Sequence, residues 1–566
     1  MTKIQKTILI IILLLASFLR FYRLDQVPPS LFSDEVDLGY QGYSILKTGR
    51  DYSGNPFPTN FQSFADFRAP LYIYASIPTL AIFGLNEWGV RLPAAFFGMV
   101  SLVGMFLLVR KLTVNTWIAL CSAFLLAISP WHLQYSRAGF EVTLMMSLLV
   151  WGTLLFLVGF KNKFYLGAGI ILILMAIYSY SPAKLFVPLL VTGLIIIYKK
   201  QLLKLPGKFK LVLLAVLLLV MLPFLVDLFK GQATYRFSYT SIFSDPTVSK
   251  EIDVNRSIDS KKTRGSIGVE ANLISKISHN KILSLNDAFL KNYLYSYSTN
   301  FLFLQGDIIG RHSVGKMGEF YLIEFITMIT GLFYLAKKAT PETVQVTVLW
   351  VLAAPIPAAL TVDGGGHATR LFLLLVPLIL VSSLGAYSLA SNLSKMKKLK
   401  KMLLFALMAM FILNVYTYFH RYYVHYVSEQ ERLWHYGFKQ AISKAQALNN
   451  NFDKIVFTNT TEPPLIFVLF WTKFDPATFQ NLRVEKATLP GFGSDAPKIG
   501  KYYLTNINPG IETRSIAEYV KPDMLVIANR KDISLDLRRE QIKGIKVVDL
   551  VEYPSGEVAF YLLTHD

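Results

Sequence analysis

The stretch Leu71–Leu85 reads LYIYASIPTLAIFGL. It is apolar but short, 15 residues where a helix crossing a bilayer needs about 20. Its reading sets the parity of every later segment. If it does not cross, the basic clusters Arg110/Lys111, Lys161/Lys163, Lys199–Lys210, Lys337/Lys338 and Lys395–Lys401 share one side with Lys3 and Lys6. If it does cross, all of those clusters turn away from the N-terminal side, against the preference of Lys and Arg for cytoplasmic loops. We therefore read it as an interfacial or re-entrant helix on the outer face.

The rest of the chain fits a membrane protein. Of 566 residues 53% are apolar, 17% charged and 14% aromatic, with mean hydropathy +0.42, too apolar for a soluble multidomain chain. Apolar runs able to span lie at 5–22, 92–109, 116–130, 141–160, 164–180, 184–198, 210–229, 319–336, 343–361, 370–391 and 402–420. The first reads as an uncleaved span, because Arg20, Arg23 and Pro28-Pro29 follow it with no small-residue cleavage site. Arg20 and Arg23, at its outer end, are expected to snorkel. The single Cys121 excludes an intrachain disulfide. The net charge of +20 belongs to cytoplasmic loops rather than to a nucleic-acid surface.

The expected fold is mainly α, a polytopic bundle of about eleven transmembrane helices with its N-terminus in the cytoplasm. Residues 1–420 form the membrane domain, with long external loops at 23–91 and 230–318. Residues 421–566 form a small extracytoplasmic α/β domain. There a charged helical pattern runs through 429–449, and strand-like runs follow at 455–457, 524–527, 545–550 and 558–563. The last two are joined across Pro554-Ser555-Gly556. The loop 240–285 is polar enough to be partly mobile.

Span centres nearly lack ionisable groups, Glu324 being the deepest acid, so ion-coupled transport has little support. The unusual polar residues gather where outer loops meet spans: Asp34, Glu35, Asp66, Arg68, Arg137, Glu141, Lys184, Arg311, His312, His367 and Arg370. Acids and cations at the outer membrane surface suit sugar transfer from a polyprenyl-phosphate carrier. A carboxylate takes the acceptor's proton, and cations stabilise the departing phosphate. No nucleotide is needed, in keeping with the lack of a P-loop or dinucleotide fingerprint.

Ser33-Asp34-Glu35 after the first span, then Phe67-Arg68-Ala69-Pro70-Leu71-Tyr72, then Phe83-Gly84-Leu85-Asn86-Glu87 and Arg91-Leu92-Pro93, resemble the GT-C glycosyltransferases. Arg137 with Glu141, Ala183-Lys184, Arg311-His312 and His367 with Arg370 extend the match over most of 1–420. The nearest resemblance is to the protein O-mannosyltransferase and lipid A aminoarabinose transferase group. It implies Asp34 as the catalytic acid of the first external loop, serving as base towards the acceptor hydroxyl, with Glu35 its neighbour and Glu141 in the place of the second external acid. It also implies donor-phosphate ligands among Arg68, Arg137, Lys184, Arg311, His312, His367 and Arg370. Many relatives carry an acid where this chain has Phe67, so no metal ligand set is assigned and a divalent metal stays an open matter.

The expected function is transfer of a sugar from a polyprenyl-phosphate donor to a hydroxyl on a protein, lipid or envelope glycan. The expected place is the outer face of the cytoplasmic membrane, and the expected course inverting displacement. Other readings stand beside it: a flippase or transporter of lipid-linked glycans, or a non-catalytic receptor or scaffold. Each residue also has a plainer reading. Asp34 suits a helix N-cap, Glu35 and Glu141 suit a first helical turn, Arg137 and Arg370 suit interfacial anchors, and the histidines suit structural hydrogen bonding.

Overall fold

The computed structural model describes the chain apart from residues 64–65, 265–270, 393–396, 483–484, 488, 490–491, 493–495 and 508–512. The Lys395–Lys401 cluster and the loop 240–285 therefore lie in part outside the described residues. Within that loop, helices occupy Pro246–Arg264 and Leu273–Ser278, and a third begins at Lys281.

The chain is mainly helical. Among the described residues seven helices are long and apolar enough to cross a membrane, or eight if the bent pair Thr116–Ile128 and Pro130–Ser136 counts as one span. They include Lys3–Phe21, Glu87–Thr113, Val142–Gly159 and Gly207–Phe229. Lys163–Tyr178 and Ala183–Ile197 are apolar but shorter. The decisive stretch is the helix Pro70–Phe83, whose 14 residues fall short of a span.

Two compact units result. The first comprises Met1–Tyr22, Thr59–Tyr72 and Ala94–Phe419; the second comprises Arg23–Pro58, Ile73–Pro93 and His420–Asp566. One division falls between Phe419 and His420, and most of the first long loop groups with the tail rather than with the spans.

In the first unit, small residues let helices approach closely. A Cβ on Gly331 would lie 1.9 Å from the carbonyl oxygen of Val381, and one on Gly385 would lie 1.8 Å from that of Thr327. The helices Leu322–Lys338 and Leu375–Ser391 thus pack backbone to backbone. Glu324 is buried between them, its Oε2 accepting the Tyr321 N–H at 3.0 Å and its Oε1 the Ser382 hydroxyl at 3.4 Å. Arg20 does not snorkel as expected. It is fully buried and donates to the carbonyls of Ala16, Ala127 and Leu126, while its Nη2 lies 2.7 Å from His132 Nδ1. Carbonyls left open at helix ends offer a buried guanidinium better partners than the interface does.

The second unit is built on a sheet. A hairpin of β1 (Phe61–Gln62) and β2 (Phe67–Arg68) belongs to the first unit. The tail carries β3 (Lys454–Phe457), β4 (Glu485–Ala487), β5 (Ala496–Ile499), β6 (Tyr502–Leu504), β7 (Met524–Asn529), β8 (Ile545–Glu552) and β9 (Val558–His565). Their order is β4-β5-β6-β3-β7-β9-β8, with β3 parallel to β6 and β7 and the other pairs antiparallel. β7 is buried along its whole length because both sheet faces are covered. Phe438, Ala441, Ile442 and Ala445 of the helix Phe438–Ala447 join the core on one face, and Ile516, Val520, Ile533 and Leu537 join that on the other. The β8–β9 turn runs through Pro554-Ser555-Gly556, where Gly556 supplies a φ of +85°.

The helix Ser33–Thr48 explains why the first loop joins this unit. It opens with Asp34 and Glu35 in its first turn and stops at Gly49, whose φ of +68° closes it. Its Val36 and Tyr40 share one core with Phe467 and Phe470, and Tyr40 donates to the Phe474 carbonyl at 3.1 Å. Apolar burial therefore ties the loop to the tail.

Candidate functional site

In the first unit three cations reach one cavity. Its volume is about 190 Å³, and its lining includes Lys184, Arg236 and Arg370 with the apolar side chains of Leu185, Phe224, Leu228 and Phe237. Lys184 opens the helix Ala183–Ile197 and donates one Nζ hydrogen to the Ala233 carbonyl at 2.8 Å. An ammonium carries three donors, so two are left to face the cavity. Arg370 follows the Gly364–Gly366 turn and spends only Nη1 on the protein, at 2.7 Å from Thr361 Oγ1 and 2.9 Å from the Val362 carbonyl. Among the described residues its Nε and Nη2 donate to no protein group. Arg236, in the helix Tyr235–Thr240, lies 3.4 Å from Asp66 Oδ2. Phe67 stands edge-on to Tyr235 at 5.5 Å, which holds the β1–β2 hairpin against that helix.

Behind Arg370 lies a second polar group. His312 Nδ1 is 3.1 Å from the Tyr135 hydroxyl and 3.0 Å from Thr369 Oγ1, and its ring centre is 4.9 Å from that of His367. The buried Asp307 accepts the Ile309 N–H on Oδ1 and the Ala368 N–H on Oδ2, both at 2.8 Å. Burial pushes the Asp307 carboxyl up to about 6, against the pull of these N–H groups and Arg370. His367 is held down to about 2, first by burial and then by Arg370 and His312. The 3.7 Å approach of His367 Nδ1 to Asp307 Oδ2 is therefore not an ion pair, since the imidazole is neutral.

The other residues singled out in the sequence are placed differently. Arg137 is fully buried and donates to the Leu19 and Tyr22 carbonyls at 2.6 and 2.8 Å, completing the end of the first helix. Glu141 stands at the N-cap of Val142–Gly159, and its carbonyl accepts the Ser179 hydroxyl. Arg68 is half-buried in β2, and the Arg311 carbonyl accepts from Gln134. In the second unit Asp34 is half-buried in a first helical turn, not at the N-cap, which is Phe32. Glu35 is fully buried against Arg91: Nε to Oε1 is 2.9 Å and Nη2 to Oε2 is 3.0 Å. Arg91 also donates to the carbonyls of Leu24, Pro28 and Ser30, so all five of its N–H groups are used. Among the described residues no three His, Cys, Asp or Glu side chains are grouped to hold a metal ion.

Arg236, Asp307 and Arg91's pairing with Glu35 were not singled out from sequence. Arg236 had a signal, a cation between Tyr235 and Phe237 just past a span end; Asp307 had none.

The family model for dolichyl-phosphate-mannose-protein mannosyltransferases matches residues 68–226. The structure of ArnT from Cupriavidus metallidurans bound to undecaprenyl phosphate superposes with a TM-score of 0.52 at 12% identity, covering 98% of this chain and 97% of that one. The chain has the GT-C membrane-glycosyltransferase fold. The archaeal oligosaccharyltransferase AglB from Archaeoglobus fulgidus, solved with an inhibitory peptide and a dolichol-phosphate, gives 0.48 at 14% identity. There the match covers 83% of this chain but 63% of AglB, so the chain spans less than two thirds of that protein's length. No curated protein matches by sequence. Within this GT-C fold Lys184 lies inside the matched family segment, and Arg236 and Arg370 lie beyond it.

Proposed function

We propose that this protein transfers a sugar from a polyprenyl-phosphate carrier to an acceptor hydroxyl at the outer face of the cytoplasmic membrane. The observation that carries the reading is the cavity where Lys184, Arg236 and Arg370 meet apolar walls. The donors that Lys184 and Arg370 leave uncommitted suit a phosphate, and Phe224, Leu228 and Phe237 suit the first isoprene units of its chain. The acceptor oxygen attacks the anomeric carbon, and the bond from that carbon to the phosphate oxygen breaks. The acceptor's proton passes to the base, and the phosphate leaves with the electron pair, its charge met by the three cations. The configuration at the anomeric carbon inverts. Asp34 is the proposed base. Glu35, with both oxygens on Arg91, positions the segment that carries it.

The sugar consumed and the acceptor identify the reaction. Membranes containing the protein are supplied with labelled polyprenyl-phosphate sugars, and loss of label from the carrier is followed. The double variant Lys184→Met/Arg370→Met is expected to slow that loss by about 100-fold, the effect of removing two charge-assisted contacts to a leaving phosphate. An unchanged rate would count against the cavity as the donor site.

A further inference from the structure

We infer that Asp307 is a positioning residue, which sets where Arg370 presents its guanidinium by clamping the backbone of the turn that carries it. The inference rests on the reading of Arg370 as a phosphate ligand. The side chain of Asp307 bridges two segments: one oxygen holds the N–H of Ile309, two residues along its own loop, and the other holds the N–H of Ala368, two residues before Arg370. Its own N–H is held in turn by Glu319 Oε1 at 3.1 Å. The turn is gripped from behind at its next atoms as well. Trp131 Nε1 donates to the Ala368 carbonyl at 3.1 Å, and Thr369 Oγ1 sits 2.7 Å from the Tyr135 hydroxyl. In front, Arg370 Nη1 is fixed on Thr361 and Val362. Ala368 stands two residues before Arg370 and Thr369 next to it, so these anchors fix the backbone from which the guanidinium is presented.

A buried carboxylate is an expensive way to hold two amides unless both oxygens are needed as acceptors. Asparagine offers one acceptor, and its NH₂ would face the second N–H. Protonation has the same consequence, turning one oxygen into a donor. The charged and titratable groups facing Asp307 are Glu319, His367 and Arg370, with His312 and Tyr135 behind them. His367 stays neutral near neutral pH, and the Asp307 carboxyl, lifted to about 6, changes its charge in the mildly acidic range. The two-acceptor state is present above about pH 6 and lost below it. The native carboxyl takes up a proton more readily than the unfolded one. Acidification through this window therefore adds folding stability through Asp307, so binding is expected to weaken with no fall in the unfolding midpoint from this group.

The test uses the full-length protein in nanodiscs. Affinity is measured for a polyprenyl phosphate at neutral pH, and for a short polyprenyl sulfate, whose headgroup charge is constant, as pH falls from about 7 to about 5. Asp307→Asn is expected to bind the phosphate about tenfold more weakly than wild type, the loss of one charge-assisted contact's worth of alignment. Wild type is expected to lose sulfate affinity below about pH 6, and the variant to show no such loss. Equal phosphate affinity in the two proteins would overturn the inference while leaving the cavity reading intact. Should the variant not accumulate, a wild-type sulfate affinity that is flat across the range overturns it alone. If wild type binds neither probe, the cavity reading itself fails and the inference falls with it.

Discussion

Replacing Asp34 by Asn is expected to cut sugar transfer by about 10³-fold, in the range for losing a general base, with polyprenyl-phosphate affinity unchanged. Asn keeps the shape of the side chain but cannot take a proton. Asp34 lies in the first turn of Ser33–Thr48, where a negative charge is favoured by the helix dipole. Removing that charge costs the helix-dipole interaction up to about 2 kcal/mol at a half-buried position. The apolar face of Val36 and Tyr40 still buries against the tail core. Loss of turnover with retained binding would therefore report chemistry rather than folding. Single-turnover rate and carrier affinity, measured on one preparation, separate the two. Undiminished turnover would favour a protein that moves lipid-linked glycans rather than one that cleaves them.

Replacing Arg91 by Met is expected to destabilise the second unit by about 3–5 kcal/mol, the usual cost of stranding one partner of a buried ion pair. Glu35 would keep a fully buried carboxylate with its charge partner gone, and the carbonyls of Leu24, Pro28 and Ser30 would each lose a donor. The double variant Glu35→Leu/Arg91→Met should recover only part of the loss. It removes the stranded charge but leaves the three carbonyls unpaired. Thermal unfolding of the purified proteins checks both statements. Full recovery in the double variant would mean that the carbonyl contacts contribute nothing.

Much of this molecule was readable in the chain because bilayers impose a coarse rule. Runs of apolar residues such as Leu211–Leu222 have one stable solution in lipid, a helix, and the chain forms one there. The tail strands were legible from Ile455–Phe457, Met524–Ile527 and the Pro554-Ser555-Gly556 turn, because buried strands and tight turns leave local marks. Lys184 and Arg370 were visible as cations at span ends beside Pro182 and the triple glycine. Long-range pairing left no such mark. Glu35 meets Arg91 across 56 residues, and nothing in either segment's periodicity announces the partner. Arg20 shows the same limit: an arginine at a span end usually reaches for water, but here the helix-end carbonyls of Leu126 and Ala127 were nearer. Asp307 sits in a segment with no motif at all, and only the fold brings it to Ala368.

On the proposed reading, the cavity of the first unit holds the phosphate of a lipid carrier. A cryo-EM structure of the protein in nanodiscs with a bound polyprenyl phosphate tests it most directly. The phosphorus is expected within about 4 Å of Lys184 Nζ and of Arg370 Nη2, at charge-assisted hydrogen-bond reach, with the first isoprene units along Phe224 and Leu228. Density for the headgroup elsewhere, with Lys184 and Arg370 untouched, would contradict it.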